Sequence, residues 1–167
     1  MTTDSNSWVV NHMWIDLGPV PQTNWLEVGY KKFYSNSLTG DYAIYADGQN
    51  KKMNNFAVSV GTWYWYEIED KNNDGIWSIY RGTSSPNVFV DSYNFARYSG
   101  TPRAGFETNN TSAATAEADM DQLQYYWFNY ALWPNNSGGL VPHSPYNIVE
   151  CGGDYHVKIK KNSVPTC

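Results

Sequence analysis

Short runs of alternating apolar and polar residues, separated by Asn, Gly, Asp, Ser and Pro, dominate this sequence, and helical periodicity is almost absent. A period of two is typical of strands with one buried face, and the turn-forming residues between the runs end each strand. About ten such runs at this spacing predict an all-β fold, an antiparallel two-sheet β-sandwich or jelly roll. The predicted strands are 8–17, 24–34, 41–47, 55–60, 62–69, 76–81, 87–95, 103–108, 120–133 and 155–161.

The whole chain, 1–167, is interpreted as a single β-sandwich domain, because no linker or low-complexity segment divides it. Residues 1–7 are expected to be a disordered start that carries an added Met. The stretch "DKNNDG" at 70–75 predicts a hairpin turn between two aromatic strands. The stretch at 114–119 is a candidate helical turn, and 135–145 is predicted to be a long surface loop.

Aromatic residues form 17% of the chain, with 14 Tyr and 8 Trp, which is more than a core of this size requires. Such an excess suits a sheet face that binds sugars, peptides or other amphipathic ligands. The net charge of -5, with 11 Lys plus Arg, makes nucleic acid an unexpected partner. No apolar run is long enough for a membrane span. These features predict a secreted, soluble monomer.

The remaining chemistries have little support in the sequence. His12, His143 and His156 are scattered and show no metal-ligand spacing. The segment 70–81 begins like a calcium loop, but Arg81 stands where the bidentate acid belongs. No metal site and no cofactor are therefore expected. In a secreted chain, the two cysteines, Cys151 and Cys167, are expected to form a disulfide near the C-terminus.

One carboxylate interrupts an otherwise apolar strand. In "NWLEVGYKKF", alternation places Trp25, Glu27 and Gly29 on one face, whereas Leu26 and Val28 lie on the opposite face and predict the core. Glu27 therefore belongs to the face that is exposed or concave. Glycine beside it is predicted to leave room for the backbone of a ligand.

A second glutamate repeats the arrangement in "RAGFET". Arg103, Gly105 and Glu107 share one face, whereas Ala104 and Phe106 point the other way. Two carboxylates on one face can perform acid–base chemistry when one is protonated and the other ionised. A peptidase and a glycosidase can both use such a pair, and solvated surface residues are the simplest alternative.

The order of the motifs resembles that of the glutamic peptidase families, of both the fungal eqolisin type and the plant neprosin type. The segments that carry the resemblance lie within about 8–110 and are "MWIDLG", "WLEVGY", "YAIYAD", "VSVGTW", the hairpin "WYWYEIEDKNNDGIWSIYRG" and "RAGFET". The eqolisin type has Gln and the neprosin type has Glu at the position of Glu27, so the chain is more similar to the neprosin type. The Trp–Gly–Gly–Glu context typical of the neprosin type is absent around Glu107.

The resemblance implies a concanavalin-like β-sandwich and a secreted glutamic endopeptidase that cleaves polypeptides, works at acidic pH and needs no metal. It implies that Glu27 and Glu107 are catalytic and lie on neighbouring strands of one concave sheet. One of them activates water, and the other supplies the proton to the leaving amine or stabilises the tetrahedral intermediate. Four aromatic residues are expected to line or extend the substrate groove: Trp14, Trp25, Tyr45 and Trp65.

Two alternatives remain open at this stage. The first is a lectin-like β-sandwich that binds carbohydrate or peptide without catalysis, which glutamates on opposite sheet faces would favour. The second is a small jelly-roll glycoside hydrolase, in which Glu67 of "WYWYEIE" is a rival catalytic residue.

Overall fold

The computed structural model describes residues 7–18, 24–33, 38–84, 87–110, 118–120, 124–127, 129–132, 144–151 and 156–167. The secondary structure of these residues consists of thirteen β-strands. They are β1 (Trp8–Asp16), β2 (Trp25–Phe33), β3 (Thr39–Ala46), β4 (Gln49–Ala57), β5 (Trp65–Glu69), β6 (Ile76–Gly82), β7 (Val88–Asn94), β8 (Thr101–Thr108), β9 (Ala118–Met120), β10 (Gln124–Trp127), β11 (Asn129–Leu132), β12 (Tyr146–Cys151) and β13 (His156–Lys161). Within the described part of the chain, no helix is long and apolar enough to cross a membrane.

The largest layer is a five-stranded antiparallel sheet with the order β4-β3-β2-β1-β8. The first four strands form a meander, and β8 returns to pair with the free edge of β1. Two further sheets have three strands each, with the orders β5-β6-β7 and β12-β13-β9, and β10 pairs with β11. The predicted antiparallel all-β sandwich is confirmed.

The core lies between the five-stranded sheet and the β5-β6-β7 sheet. Alternation along the central strands directs Leu26, Val28 and Ile44 inward, and each is fully buried. From the opposite sheet, Trp77 and Ile79 enter the same cluster. Burial of large side chains like these, each worth about 1.5–3 kcal/mol, fixes which face of β2 points inward. Glu27, one residue from Leu26 and Val28, is therefore held on the other face.

Polar and aromatic contacts join the layers at the rim of the core. The hydroxyl group of Tyr42 donates a hydrogen bond to Asp91 of β7, at 2.6 Å, and Lys52 pairs with the same carboxylate at 2.6 Å. The ring of Phe106 on β8 packs against Tyr146 of β12, with centroids 5.0 Å apart. The β12-β13-β9 sheet thus contacts the core side of β8.

The predicted strand positions agree with most of the structure. The hairpin at 70–75 is confirmed: the Asp70 carboxylate accepts hydrogen bonds from the backbone N–H groups of Asp74 and Gly75. Asn73 and Gly75 have φ values of 52° and 79°, which this turn requires.

Other local predictions were wrong. Of the strand predicted at 55–60, residues 55–57 form the end of the longer β4, and 58–60 lie beyond it. The first part of β4 was missed because its sequence is polar, as is common for an exposed edge strand. The short β12 was missed. The helical turn predicted at 114–119 was wrong for residues 118–119, which belong to β9 and pair with β13. Residues 114–117 lie outside the described residues. Residues 1–6 and the predicted loop 135–145, except its last two residues, also lie outside them.

A disulfide bond links Cys151, at the end of β12, with Cys167. It closes a segment with a sequence separation of 16 and holds the C-terminal residue against the β12-β13 hairpin. The predicted pairing of the two cysteines is present in the structure.

Candidate active site

The face of the five-stranded sheet that points away from the core carries polar and aromatic side chains. Four strands contribute to it: His12 and Trp14 from β1, Trp25, Glu27 and Lys31 from β2, Asp41 and Tyr45 from β3, and Arg103 and Glu107 from β8. We call this set the polar face. Glu27 and Glu107 both belong to it, so they do not lie on opposite sides of the sheet.

The strands that carry Glu27 and Glu107 were expected to be neighbours, and this expectation was wrong. Strand β1 lies between them and pairs with β2 on one side and with β8 on the other. Glu27 is opposite Trp14 and Glu107 is opposite Val10, so the glutamates occupy diagonal positions around His12. The two positions are separated by two strand spacings across the sheet and by four residues along it. In a flat sheet, this corresponds to roughly 16 Å between their Cα atoms. Among the described residues, no hydrogen bond joins the two carboxyl groups, although the negative charge of Glu27 acts on Glu107.

His12 occupies the centre of this arrangement and is only 4% exposed. Its Nε2 atom lies 2.6 Å from Oδ1 of Asp41, and its Nδ1 atom lies 3.3 Å from Oε2 of Glu27. The other Asp41 oxygen accepts a hydrogen bond from Nζ of Lys31, at 2.8 Å. Carboxylates therefore flank both nitrogen atoms of the imidazole ring.

The two carboxylates decide the charge of His12. Burial alone lowers the pKa of the imidazole, but the hydrogen bond to Asp41, the contact with Glu27 and the charges of both carboxylates raise the pKa to about 9. For Asp41, burial raises the pKa, and the hydrogen bonds and charges of His12 and Lys31 outweigh this effect and lower it. At neutral and acidic pH, His12 is thus an imidazolium ion.

Glu107 has a different environment at the edge of the sheet. Its side chain is exposed, yet partial burial of the carboxyl group, together with the negative charge of Glu27, raises its pKa. The positive charge of His12 acts in the opposite direction and does not cancel the increase. Glu107 therefore retains a proton at higher pH than an ordinary glutamate, whereas Glu27 faces a cation.

Two glycines allow the rings of β1 to lie close to the neighbouring strands. A Cβ atom at Gly29 would lie 2.5 Å from Cδ2 of His12 and 2.1 Å from the Asn11 carbonyl oxygen. At Gly105 it would lie 3.1 Å from Cη2 of Trp14. The prediction that these glycines leave room for a ligand was wrong, because side chains of β1 fill that space.

Three of the four predicted aromatic groove residues lie on the polar face. Trp25 and Tyr45 stack with centroids 5.3 Å apart and an interplanar angle of 5°, and Trp14 is the cross-strand partner of Glu27. Trp65 lies elsewhere: it belongs to β5 of the opposite sheet and is 44% exposed. That sheet covers the core side, which separates Trp65 from the polar face. The rival residue Glu67 also lies on β5.

A depression adjoins the end of the polar face that holds Trp25. It has a volume of about 570 Å³ and is lined by the end of β1, the segment before β8 and the first residue of β8, including Asp16, Arg97, Tyr98 and Thr101. Asp16 also forms an ion pair with Arg103, which fixes the guanidinium beside this depression. The polar face therefore continues into a concave surface.

Sequence reasoning missed His12, Asp41 and Lys31. The histidine was considered only as a metal ligand, and it has no partner within its own strand. The signal that could have identified it is alternation on β1, which places His12 on the same face as Trp14. Asp41 becomes its neighbour only through the pairing of three successive strands. Among the described residues, no cluster of three or more His, Cys, Asp or Glu side chains is arranged to hold a metal ion.

Comparison with known proteins identifies a structural relative. No family model matches the sequence, and no curated protein matches it. Among solved structures, the fold is similar to that of aspergilloglutamic peptidase from Aspergillus niger, with a TM-score of 0.60 and 12% sequence identity. The similarity covers 92% of this chain and 98% of the peptidase chain. At this identity, the chain shares the fold of a glutamic peptidase over nearly its full length.

Proposed function

We propose that this chain is a glutamic endopeptidase, in which Glu27 and Glu107 together hydrolyse a peptide bond. The observation that carries the proposal is the placement of both carboxyl groups on one sheet face, on strands that flank β1, with the cationic His12 between them. The shared fold with a glutamic peptidase supports peptide hydrolysis over glycoside hydrolysis.

The two carboxyl groups divide the chemistry according to their surroundings. Glu27 faces the His12 imidazolium as a carboxylate and acts as the base that accepts a proton from water. The water oxygen attacks the carbonyl carbon, and the electron pair of the carbonyl bond moves to its oxygen. Glu107 keeps its proton because its pKa is raised, and it donates that proton to the amide nitrogen. The carbonyl bond then re-forms from the electron pair on the oxygen as the carbon–nitrogen bond breaks, which releases the amine and the carboxylic acid.

Each turnover leaves Glu27 protonated and Glu107 ionised. The resting state returns when Glu27 releases its proton and Glu107 takes one from solvent. Because Glu27 must be ionised while Glu107 is protonated, the proposed activity has a bell-shaped pH dependence with its maximum on the acidic side of neutrality. The half-buried, stacked rings of Trp25 and Tyr45 are proposed to bind the polypeptide substrate.

The disulfide between Cys151 and Cys167 supports action in an oxidising environment outside the cytosol. Secretion is therefore part of the proposal, as is a polypeptide substrate that the enzyme meets outside the cell.

The experiment is cleavage of an acid-denatured protein substrate between about pH 3 and about pH 7, the range in which carboxyl groups titrate. Wild type is compared with Glu27→Gln and Glu107→Gln, and Glu69→Gln on β5 is the matched control with the same chemical change on the opposite sheet. We expect cleavage by wild type and the control only. Cleavage that survives both site substitutions would refute the proposal.

A further inference from the structure

We propose that His12 is a positioning residue for Glu27: its imidazolium ion, anchored by Asp41, holds the Glu27 carboxylate ionised and directed across β1 toward Glu107. This inference rests on the proposed function for its catalytic meaning. The charge relation between His12 and Glu27 can be tested without any activity.

The orientation of the His12 ring is fixed by its neighbours. His12 is buried, and its Nε2 atom is anchored to Asp41 at 2.6 Å, so the ring has a fixed orientation. Gly29 provides the space in which the ring lies, since a Cβ atom there would overlap Cδ2 of His12. The remaining nitrogen, Nδ1, is consequently held 3.3 Å from Oε2 of Glu27.

Titratable side chains from three strands face the ring of His12. Glu27 and Lys31 face it from β2, Asp41 from β3 and Glu107 from β8. Lys31 compensates the second oxygen of Asp41, which leaves one imidazolium charge to be shared between Asp41 and Glu27. Burial opposes a charge on the ring, and the carboxylates outweigh burial and raise the pKa of His12 to about 9. The ring is therefore cationic throughout the range in which glutamates titrate.

The consequence for Glu27 follows from this charge. An opposite charge a few ångströms away favours the ionised form of a carboxyl group. The charge of His12 therefore favours the carboxylate form of Glu27, whereas the charge of Glu27 opposes the carboxylate form of Glu107. Without His12, Glu27 would lose the cation whose Nδ1 atom lies 3.3 Å from its Oε2 atom.

The test is a titration of the carboxyl groups by carbon-13 NMR in four proteins: wild type, His12→Gln, Asp41→Asn and Asp91→Asn. In His12→Gln, the cation is lost, and the midpoint of the Glu27 titration should rise by about one pH unit. In Asp41→Asn, an anion is lost while His12 remains protonated in acid, so the midpoint should fall. Asp91→Asn removes an ion pair with Lys52 on the core side and should leave Glu27 unchanged.

The opposite signs of the first two shifts separate positioning from a general structural role. Loss of packing alone predicts no shift, or shifts in the same direction, and either result would overturn the inference. If His12→Gln does not fold, nitrogen-15 shifts of the wild-type imidazole decide: both ring nitrogens should carry protons at about pH 7, and a neutral ring there would overturn it.

Measurements of peptidase activity distinguish the role of His12 from the proposed function of the whole site. In active proteins, the acid limb of the kcat/KM profile should move with the Glu27 midpoint, upward in His12→Gln and downward in Asp41→Asn. A wild type that cleaves no polypeptide would refute the proposed function, and the titrations would still decide whether His12 controls the charge of Glu27.

Discussion

The Nε2 atom of His12 lies 2.6 Å from Oδ1 of Asp41, and the side chains are only 4% and 6% exposed. A buried pair of this kind needs opposite charges, because a single uncompensated charge in such a place is strongly unfavourable. The Lys31 ammonium group completes the neutralisation from the other side of Asp41. The polar face thus has an ionic centre beside Glu27.

The first prediction concerns stability at alkaline pH. Below the ordinary histidine pKa of about 6.5, both the folded and the unfolded chain carry the proton, and the contribution of the pair is complete. Between that value and the folded pKa of about 9, only the folded chain binds the proton, so the free energy of unfolding decreases as pH rises. The loss should amount to about 3 kcal/mol.

Urea denaturation at a series of pH values would measure this loss, with His12→Gln as the comparison. The variant should be less stable near neutrality and should show a much flatter decline toward high pH. Equal slopes in the two proteins would mean that His12 does not carry a proton of raised affinity in the fold.

A feature of this site could be predicted from the sequence when it depends on one strand, and could not when it depends on pairing between distant strands. Alternation within one strand was sufficient to assign Glu27 and Glu107 to the face opposite the core, since Leu26 and Phe106 fix the inward direction locally. The position of β1 between the two glutamates required the pairing of strands about ninety residues apart in the sequence. His12 and Asp41 meet through the same long-range register, so neither strand by itself indicates an ionic cluster.

The second prediction concerns the two glycines beneath the rings of β1. Gly29→Ala should destabilise the fold by about 1–3 kcal/mol, because its Cβ atom would overlap the backbone of β1. Gly105→Ala should cost less, since only the edge of the Trp14 indole has to move. Thermal or urea unfolding of both variants would compare the two losses. An equal or reversed order would contradict the packing described for His12 and Trp14.

The third prediction concerns the disulfide. Replacing Cys151 and Cys167 together by Ser should lower the free energy of unfolding by about 3 kcal/mol, since the bond closes a loop of this size in the unfolded chain. Reduction of the wild-type protein should produce a similar decrease, and a reducing agent should have no effect on the double variant. A double variant as stable as wild type would show that the bond does not constrain the unfolded chain.

The fourth prediction concerns substrate binding by the aromatic pair on the polar face. If the chain is a peptidase, Trp25→Ala should raise KM about tenfold, since it removes an aromatic surface worth about 1.4 kcal/mol of binding. Trp25→Phe should retain most of the affinity. Trp65→Ala removes an indole from the opposite sheet and serves as the control. Equal changes in KM for Trp25→Ala and Trp65→Ala would contradict the assignment of the groove to the polar face.

The proposed peptidase activity requires joint action of the two carboxyl groups across β1. The direct measurement is kcat/KM for polypeptide cleavage by wild type, Glu27→Gln, Glu107→Gln and the double variant, each at the pH of maximal wild-type activity. We expect each single substitution to reduce kcat/KM by roughly a thousandfold or more, and the double substitution to reduce it little further, because residues that act as a unit are not additive. Losses that multiply independently, or a single variant that retains wild-type activity, would contradict the account.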